Sequence, residues 1–525
     1  MYEHIAGSCG AVLVRGVNWI GDAVMTIPAL RALRRSLPDA RVSLLVKPWV
    51  SPLFEKDPDI DEIISYSEDF RGISGKLRLS RVLRSRNFCM SVLFQNAFDA
   101  ALLAFLAGIP ERIGYSRDGR RFLLTGRVDF DERAKGLHHI DYYLELLKKA
   151  GITPKAQAPW IFLDLEERLH ARAVLGVLKR PVIAINPGAT YGSSKKWLPE
   201  RFAEVAARVM HEIGGSVLLL GGPKETGIAD EILNKVSGGS DASRMGSASL
   251  LNLSGKTSLR ELIAIIAESD VLLTNDSGPM HIGYAVGTPV VAIFGSTSPE
   301  HTGPVGATDI VIRKPVACAP CFERECRKKS LECMDLITAA EVFAAVKRSV
   351  RTKKAVFFDR DGTLCRDAHY LSSMNDLELF PSIASLQALK DRGFALIGIT
   401  NQSGIARGLV QEEFAQKVNR IFVESYGFDD FYYCPHHPDE HCLCRKPEPG
   451  MLIRARNEHF VDLRQSFVVG DKEEDMILAR VAGAQGILVT TGKVQASVHA
   501  DAVADGLETA VSIILSMTQK KGHAS

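Results

Sequence analysis

The chain has 525 residues, 46% of them hydrophobic and 24% charged, with a net charge of +2 at pH 7. That length suits three to four domains of about 150 residues, with cores large enough to need no staples, and the charge balance excludes a protein devoted to gripping nucleic acid. No apolar run reaches the roughly 18 residues of a spanning helix, and the amino terminus, interrupted by Arg15 and Asp22, has no signal-peptide pattern; a cytoplasmic protein is expected, with a membrane-surface substrate compatible.

The first strand is Ala11–Val14, followed by a glycine-containing loop and a helix expected to open near Pro28, because proline suits a first helical turn. Val42–Val46 is a second strand. The stretch from Arg71 to Arg86 carries Lys76, Arg78, Arg81 and Arg84. With Arg112, Arg117, Arg120 and Arg121 it is either a solvated face or a surface turned to an anionic acceptor or a membrane. Glu166–Leu178 reads as a connecting helix. A second series of strands follows at Val182–Ile185, Val217–Leu220, Val271–Thr274 and Val290–Phe294, each fully apolar, as in parallel sheets covered on both faces. After a basic linker, a third series runs through Ala355–Phe358, Ala395–Thr400, Phe467–Val469 and Gly486–Val489. The fold class is α/β, with domains expected over 1–170, 171–348 and 353–515.

The third series carries the strongest chemistry. Its first strand ends in Asp359-Arg360-Asp361-Gly362-Thr363, and residues i and i+2 of a strand share a face. Thr400-Asn401-Gln402-Ser403, Arg445-Lys446-Pro447 and Gly470-Asp471 follow, with Asp475 close behind. Phosphoryl transfer needs a nucleophile, a proton donor and positive charge on the phosphoryl oxygens. Asp359 suits the first role and Asp361 the second; Thr400 and Lys446 suit the third. A hard cation, Mg²⁺, is expected among Asp359, Asp471 and the backbone carbonyl of Asp361. Cys434-Pro-His436-His437 and Cys442-x-Cys444 supply three thiolates and a histidine, a closed ligand set for structural Zn²⁺. Cys434, His436, Cys442 and Cys444 are the expected ligands, with His437 and His441 as alternatives for the histidine.

These motifs resemble the haloacid-dehalogenase superfamily, whose signature is Asp-x-Asp-Gly-Thr. With the zinc loop, residues 353–510 look like the D-glycero-D-manno-heptose 1,7-bisphosphate 7-phosphatases. That resemblance implies substrate contacts at Asp367, Ala368, His369 and Tyr370, at Thr400, Asn401, Gln402 and Ser403, and at Arg445, Lys446 and Lys472. Histidinol-phosphate phosphatases share the nucleophile and the zinc loop, so this half by itself barely separates the two substrates. Polynucleotide 3′-phosphatases also begin with the aspartate pair, but the balanced charge and the zinc loop argue against them.

The first two series suit a nucleotide-sugar enzyme. Asn186-Pro187-Gly188-Ala189-Thr190 leads to Lys195-Lys196-Trp197-Leu198-Pro199, and helix-start amides with a lysine suit a diphosphate. Thr274-Asn275-Asp276-Ser277-Gly278 is a second strand-to-helix loop, with Asp276 placed for sugar hydroxyls. Asp22, after the first strand, is the candidate general base; the plainer role for both aspartates is helix capping. These segments resemble the lipopolysaccharide heptosyltransferases, closest to the second-enzyme branch, with a two-Rossmann (GT-B) glycosyltransferase fold over residues 11–310. The resemblance implies Asp22 as base in an inverting transfer from ADP-heptose to a lipid A–Kdo/heptose core acceptor. Thr190, Lys195, Asp276, Ser277, Gly278 and His281 would bind the donor. A nucleotide-sugar sensor that no longer transfers is the alternative for this half.

Cys9, Cys89 and Cys365 stand apart in the sequence. Cys318, Cys321, Cys326 and Cys333 offer thiolates at a spacing unlike that of a standard finger, which leaves metal, redox and packing roles open.

Overall fold

The structure is a computed structural model that describes residues 9–152, 154, 158–237, 249–492 and 494–522. It contains two compact units, Met1–Val350 and Arg351–Ser525, each considered by itself.

The first unit holds two six-stranded parallel sheets. The first is built from Ala11–Arg15 (β1), Arg41–Val46 (β2), Glu62–Ser65 (β3), Met90–Leu93 (β4), Glu111–Tyr115 (β5) and Gly126–Val128 (β6), in the order β3-β2-β1-β4-β5-β6. The second is built from Val182–Asn186 (β7), Ser216–Leu219 (β8), Leu250–Asn252 (β9), Val271–Asn275 (β10), Val290–Ile293 (β11) and Ile310–Ile312 (β12), in the order β12-β11-β10-β7-β8-β9. The second unit repeats the scheme with Ala355–Phe358 (β13), Ala395–Asn401 (β14), Asp430–Cys434 (β15), Phe467–Gly470 (β16), Gln485–Val489 (β17) and Ala502–Ala504 (β18), in the order β15-β14-β13-β16-β17-β18.

All three sheets share one logic. The chain starts at a central strand, winds outward to one edge, returns beside its start and winds to the other edge. The reversal leaves a crevice at the carboxyl ends of two central strands, where ligands of such sheets bind. Those pairs are β1/β4, β7/β10 and β13/β16.

The side-chain pattern explains why these strands are central. In β13 all four residues are buried; Val356 and Phe358 enter one core and Ala355 and Phe357 the core on the opposite face. Burying each phenylalanine is worth about 1.5–3 kcal/mol. β7 behaves alike, with Val182 and Ala184 on one face and Ile183 and Ile185 on the other. The core that takes Val182 and Ala184 also takes Val12 and Val14 of β1, so one apolar mass joins the two sheets of the first unit.

One expectation is corrected, and two points that the sequence left open are answered. The helix placed near Pro28 spans Ile20–Ser36, with Pro28 inside it. An interior proline costs about 3 kcal/mol, but the run Ala23–Leu33 is continuously buried and offsets it. Asp22 therefore lies in the first turn of that helix. The basic stretch after Arg71 is a helix, Gly72–Arg84, and Arg120 is buried, donating to the Tyr115 carbonyl and to Asn96 Oδ1. Cys9 and Cys89 are joined in a disulfide with their Cα atoms 5.7 Å apart. They lie 80 residues apart in the chain, but β1 and β4 are neighbours. Among the described residues no helix is long and apolar enough to cross a membrane.

Candidate active sites

In the first unit, β1 delivers the helix Ile20–Ser36 and β10 delivers the helix Gly278–Ala285, and the two helix starts meet. A Cβ on Gly21 would stand 2.6 Å from His281 Cδ2, so this contact needs glycine. The contact sets Asp22 of the first sheet beside the Asp276–His281 segment of the second. Asp22 Oδ1 lies 3.6 Å from His139 Nδ1. His281 is buried and bonded to the Tyr284 hydroxyl at 2.9 Å. Burial pushes its pKa down to about 4, against the pull of Asp276 and Asp22, so its ring is neutral at neutral pH.

Lys195 and Asp276 form a pair at 2.5 Å, and Thr297 Oγ1 donates to the same Asp276 oxygen at 2.6 Å. Asp276 is thus held by a lysine and a hydroxyl, and a donor phosphate would compete with it for Lys195. Ser277 starts its helix without capping it; its hydroxyl bonds Thr274 Oγ1 and Asn186 Nδ2. Thr190 is exposed on the loop after β7. The loop is strapped down from another quarter. Tyr191 Oη donates to the Phe322 carbonyl at 2.7 Å, Ser194 N donates to Arg324 O at 3.1 Å, and Lys195 lies over the Tyr191 ring. Sequence reasoning missed Tyr191, His139 and Thr297. The signal for Thr297 was present: Gly295-Ser296-Thr297-Ser298 follows a strand and precedes Pro299.

The strap is the cysteine-bearing segment. Cys318, Cys321, Cys326 and Cys333 are free thiols, and their sulfurs are not among the side-chain groups of the described residues that converge tightly enough to hold a metal. Burial raises the Cys333 pKa, and the neighbouring Cys318, Cys321 and Cys326 raise it further, so the four thiols share one neighbourhood.

In the second unit, three adjacent strands present the site at their carboxyl ends: β13 with Asp359, β14 with Thr400 and β16 with Asp471. Lys446 Nζ lies 2.6 Å from Asp359 Oδ1, 2.6 Å from Asp475 Oδ1 and 3.3 Å from the Ile399 carbonyl. Burial alone would raise the Asp359 pKa, but Lys446 and Lys472 outweigh it and hold it below the usual carboxylate range. Burial and the Asp359 charge push Asp471 up to about 8. Burial raises Asp475 to about 6, against Lys446.

Asp361 is held in place by three neighbours. Arg360 grips it with two guanidinium nitrogens at 3.0 and 3.1 Å, and Gln402 Nε2 donates to it at 2.8 Å. Thr400 Oγ1 lies 3.5 Å away. Asn401 exchanges two bonds with the Lys446 backbone, 3.0 and 3.2 Å, tying β14 to the lysine loop. Ser403 opens the short helix Ser403–Ala406. Asp367 accepts from the His369 backbone at 2.9 Å, and the His369 and Tyr370 rings pack together. Ala368 lies in the same turn, its carbonyl accepting from Tyr370 N. Tyr370 reaches the β14 loop: a Cβ on Gly404 would stand 2.9 Å from its ring. Arg445 Nη1 is buried with no hydrogen-bond partner, a donor left for an anionic group.

The donor set fits a divalent cation. Carboxylate oxygens of Asp359, Asp471 and Asp475 lie within 4.8 Å of one another, and Asp359 Oδ2 and Asp471 Oδ1 are buried without hydrogen-bond donors. Lys472 Nζ stands 3.4 Å from the Asp361 carbonyl, 3.7 Å from Asp359 Oδ2 and 3.8 Å from Asp471 Oδ1. These three oxygens are the expected cation ligands, so the ammonium lies near the place of the cation. The wall around it is glycine: a Cβ on Gly492 would stand 2.0 Å from Asp471 Oδ2, and Gly362 has φ +95° with equally little room.

β15 ends at Cys434, and the loop after it gathers Cys434, His436, Cys442 and Cys444, with ligating atoms within 4.8 Å of one another. The closest pairs are 3.2 to 3.7 Å apart, the spacing that Zn–S bonds of about 2.3 Å in a tetrahedron require. His437 instead accepts from Asp439 N, and His441 is exposed. The loop leads directly into Arg445 and Lys446.

Two Rossmann-like sheets with an Asp–Lys donor loop, then a third with an Asp-x-Asp strand end, define a two-Rossmann glycosyltransferase followed by a haloacid-dehalogenase-like phosphatase. Residues 76–332 match glycosyltransferase family 9 (heptosyltransferase), and residues 443–510 match the HAD-hydrolase-like family. Lipopolysaccharide heptosyltransferase 2 of Escherichia coli K12 is 30% identical over 312 residues, covering 58% of this chain and 87% of that protein. The D-glycero-beta-D-manno-heptose-1,7-bisphosphate 7-phosphatase of Haemophilus ducreyi is 42% identical over 155 residues, 27% of this chain and 85% of that one. The solved structure of Escherichia coli ADP-heptose LPS heptosyltransferase II superposes with a TM-score of 0.55 at 26% identity, covering 65% of this chain and 98% of that one. The chain belongs to the lipopolysaccharide heptosyltransferases in its first unit and to the heptose bisphosphate 7-phosphatases in its second.

Proposed function

We propose that the chain is a bifunctional enzyme of lipopolysaccharide inner-core assembly. The observation that carries this is the joining, in one polypeptide, of two families whose members act on the same unusual sugar. It also selects heptose bisphosphate over histidinol phosphate for the second unit.

In the phosphatase unit Asp359 attacks the phosphorus of the 7-phosphate and becomes an aspartyl phosphate. Its depressed pKa keeps it an anion, as attack requires. Asp361 protonates the departing sugar oxygen and then takes a proton from the water that cleaves the aspartyl phosphate. Arg360 and Gln402 hold that carboxyl in one position for both steps. Lys446 and Thr400 neutralise the phosphoryl oxygens, and Arg445 takes an anionic part of the substrate. Mg²⁺, held by Asp359, Asp471 and the Asp361 carbonyl, supplies further charge neutralisation. Zn²⁺ at Cys434, His436, Cys442 and Cys444 stiffens the loop that carries Arg445 and Lys446.

In the transferase unit Asp22 removes the acceptor hydroxyl proton as that oxygen attacks the anomeric carbon of ADP-heptose, and ADP departs with inversion. Lys195 and the amides at the start of Gly278–Ala285 receive the diphosphate charge, and Asp276 faces the sugar. The acceptor is the lipid A–Kdo/heptose core, which places the enzyme in the cytoplasm at the inner membrane. Other steps separate the phosphatase product from the transferase donor, so the fusion does not imply channelling.

A paired assay tests both halves. Phosphate release from heptose 1,7-bisphosphate is lost in Asp359→Asn and kept in Asp22→Ala. ADP release dependent on a core acceptor is lost in Asp22→Ala and kept in Asp359→Asn. Release that is indifferent to its own aspartate refutes that half.

A further inference from the structure

The helix Gly72–Arg84 buries Gly75, Leu79 and Leu83 and turns its other flanks outward. Ile73 on that outer side is 83% exposed, and Leu77 one turn on is also exposed. The helix Phe98–Leu106 lies alongside, joined by the Lys76–Asp99 pair and by Arg84 donating to the Leu106 carbonyl. It adds exposed Phe98 and Phe105. Phe122, 69% exposed, packs against Phe98 with ring centroids 6.0 Å apart. Five large apolar side chains thus share one flank of the first sheet, although monomeric proteins rarely leave such residues contiguous.

The flank is also cationic. Residues 66–123 hold ten Lys/Arg and five Asp/Glu, a net +5, against +2 for all 525 residues. Arg81, Arg84 and Arg121 are exposed around the apolar side chains. Apolar residues ringed by arginines suit the interface of an anionic bilayer: the rings and Ile73 enter the headgroup boundary while the guanidinium groups meet lipid phosphates. Both helices begin just after the carboxyl ends of β3 and β4, the edge from which Asp22 also projects. A bilayer against this flank would present a lipid-linked sugar to the side of the site where the base lies.

We propose that this flank (Ile73, Leu77, Phe98, Phe105 and Phe122 with their arginines) docks the enzyme on an anionic phospholipid surface. The proposal deepens the reading of a lipid-linked acceptor and rests on it for its purpose, not for its test. In flotation of the full chain, vesicles containing phosphatidylglycerol are expected to carry the protein, phosphatidylcholine vesicles at least about tenfold less, and 0.5 M salt is expected to weaken the binding. The double variant Ile73→Glu/Phe122→Glu is expected to lose about tenfold or more of the anionic binding while transferring heptose to a water-soluble deacylated acceptor at the wild-type rate. That retained rate shows the variant is folded. Equal binding to both vesicle types, wild-type flotation of the variant, or a dimer that the variant dissociates would overturn the proposal; the last would assign the flank to a second copy. Failure of the wild type to transfer to the soluble acceptor overturns the activity, and failure to float overturns the surface, so the two are read apart.

Discussion

Replacing Lys446 by methionine keeps the chain length of the side chain and removes its charge. The ammonium is 3% exposed and 2.6 Å from each of two buried carboxylates. Removing one partner from such a cluster leaves uncompensated charge, at a cost of about 3–5 kcal/mol. The second nearby cation, Lys472, is 40% exposed and 3.7 Å from Asp359, so it replaces little of the loss. Asp475, raised to about 6 by burial despite Lys446, will rise further without it and take up a proton. The variant's stability deficit should therefore grow as pH rises through neutrality and shrink toward pH 5. Catalysis loses the charge facing the transferring phosphoryl oxygens, about 10²–10³ in kcat. Phosphate release from heptose 1,7-bisphosphate reads the second effect. Because a two-unit chain need not unfold in one step, hydrogen exchange at β13 and β14 reads the first. Wild-type turnover, or protection of those strands within about 0.5 kcal/mol of wild type, would show that the three-way contact is not what holds the site.

Cys442→Ser should release one zinc per chain and lower phosphatase activity about 10–100-fold while leaving heptosyl transfer untouched; zinc analysis beside both assays checks this. Gly492→Ala must move Asp471, since the new Cβ would stand 2.0 Å from its oxygen, and should raise the Mg²⁺ concentration for half-maximal phosphatase activity roughly tenfold or more, as a metal titration shows. His281 titrates near 4 when folded and near 6.5 when unfolded, so the unfolded chain takes the proton first. Its contribution is complete above pH 6.5 and is lost as pH falls toward 4, by roughly 3 kcal/mol at most. Thermal unfolding of the transferase unit should therefore depend less steeply on pH in His281→Gln than in wild type over that range.

Much of both sites was legible because their residues sit directly after strands. Asp359, Asp361, Thr400 and Asp471 each follow an apolar run, and a run buried on both faces of a parallel sheet announces itself without any partner. The zinc loop was legible because its ligands are close in sequence. What escaped was held by contacts between distant segments. Tyr191 and Ser194 are fixed by carbonyls about 130 residues later, His139 reaches Asp22 from another helix, and Cys9 meets Cys89 across neighbouring strands. The start of the first long helix escaped for a different reason: proline favours a first turn, yet the burial of Ala23–Leu33 overrode that local preference.

The amino-acid order alone determined the class of each unit, most of the central strands and the groups able to do chemistry, because strand burial and loop motifs are local properties. Only the tertiary structure decided what those groups face. It set Lys446 between two aspartates, bound Asp276 to Lys195, placed Lys472 beside the cation ligands and left Arg445 Nη1 without a hydrogen-bond partner. It also brought the ligand atoms of Cys434, His436, Cys442 and Cys444 into one tight group. Such pairings depend on which strands lie side by side at the point where the winding reverses, and that is a property of the whole sheet.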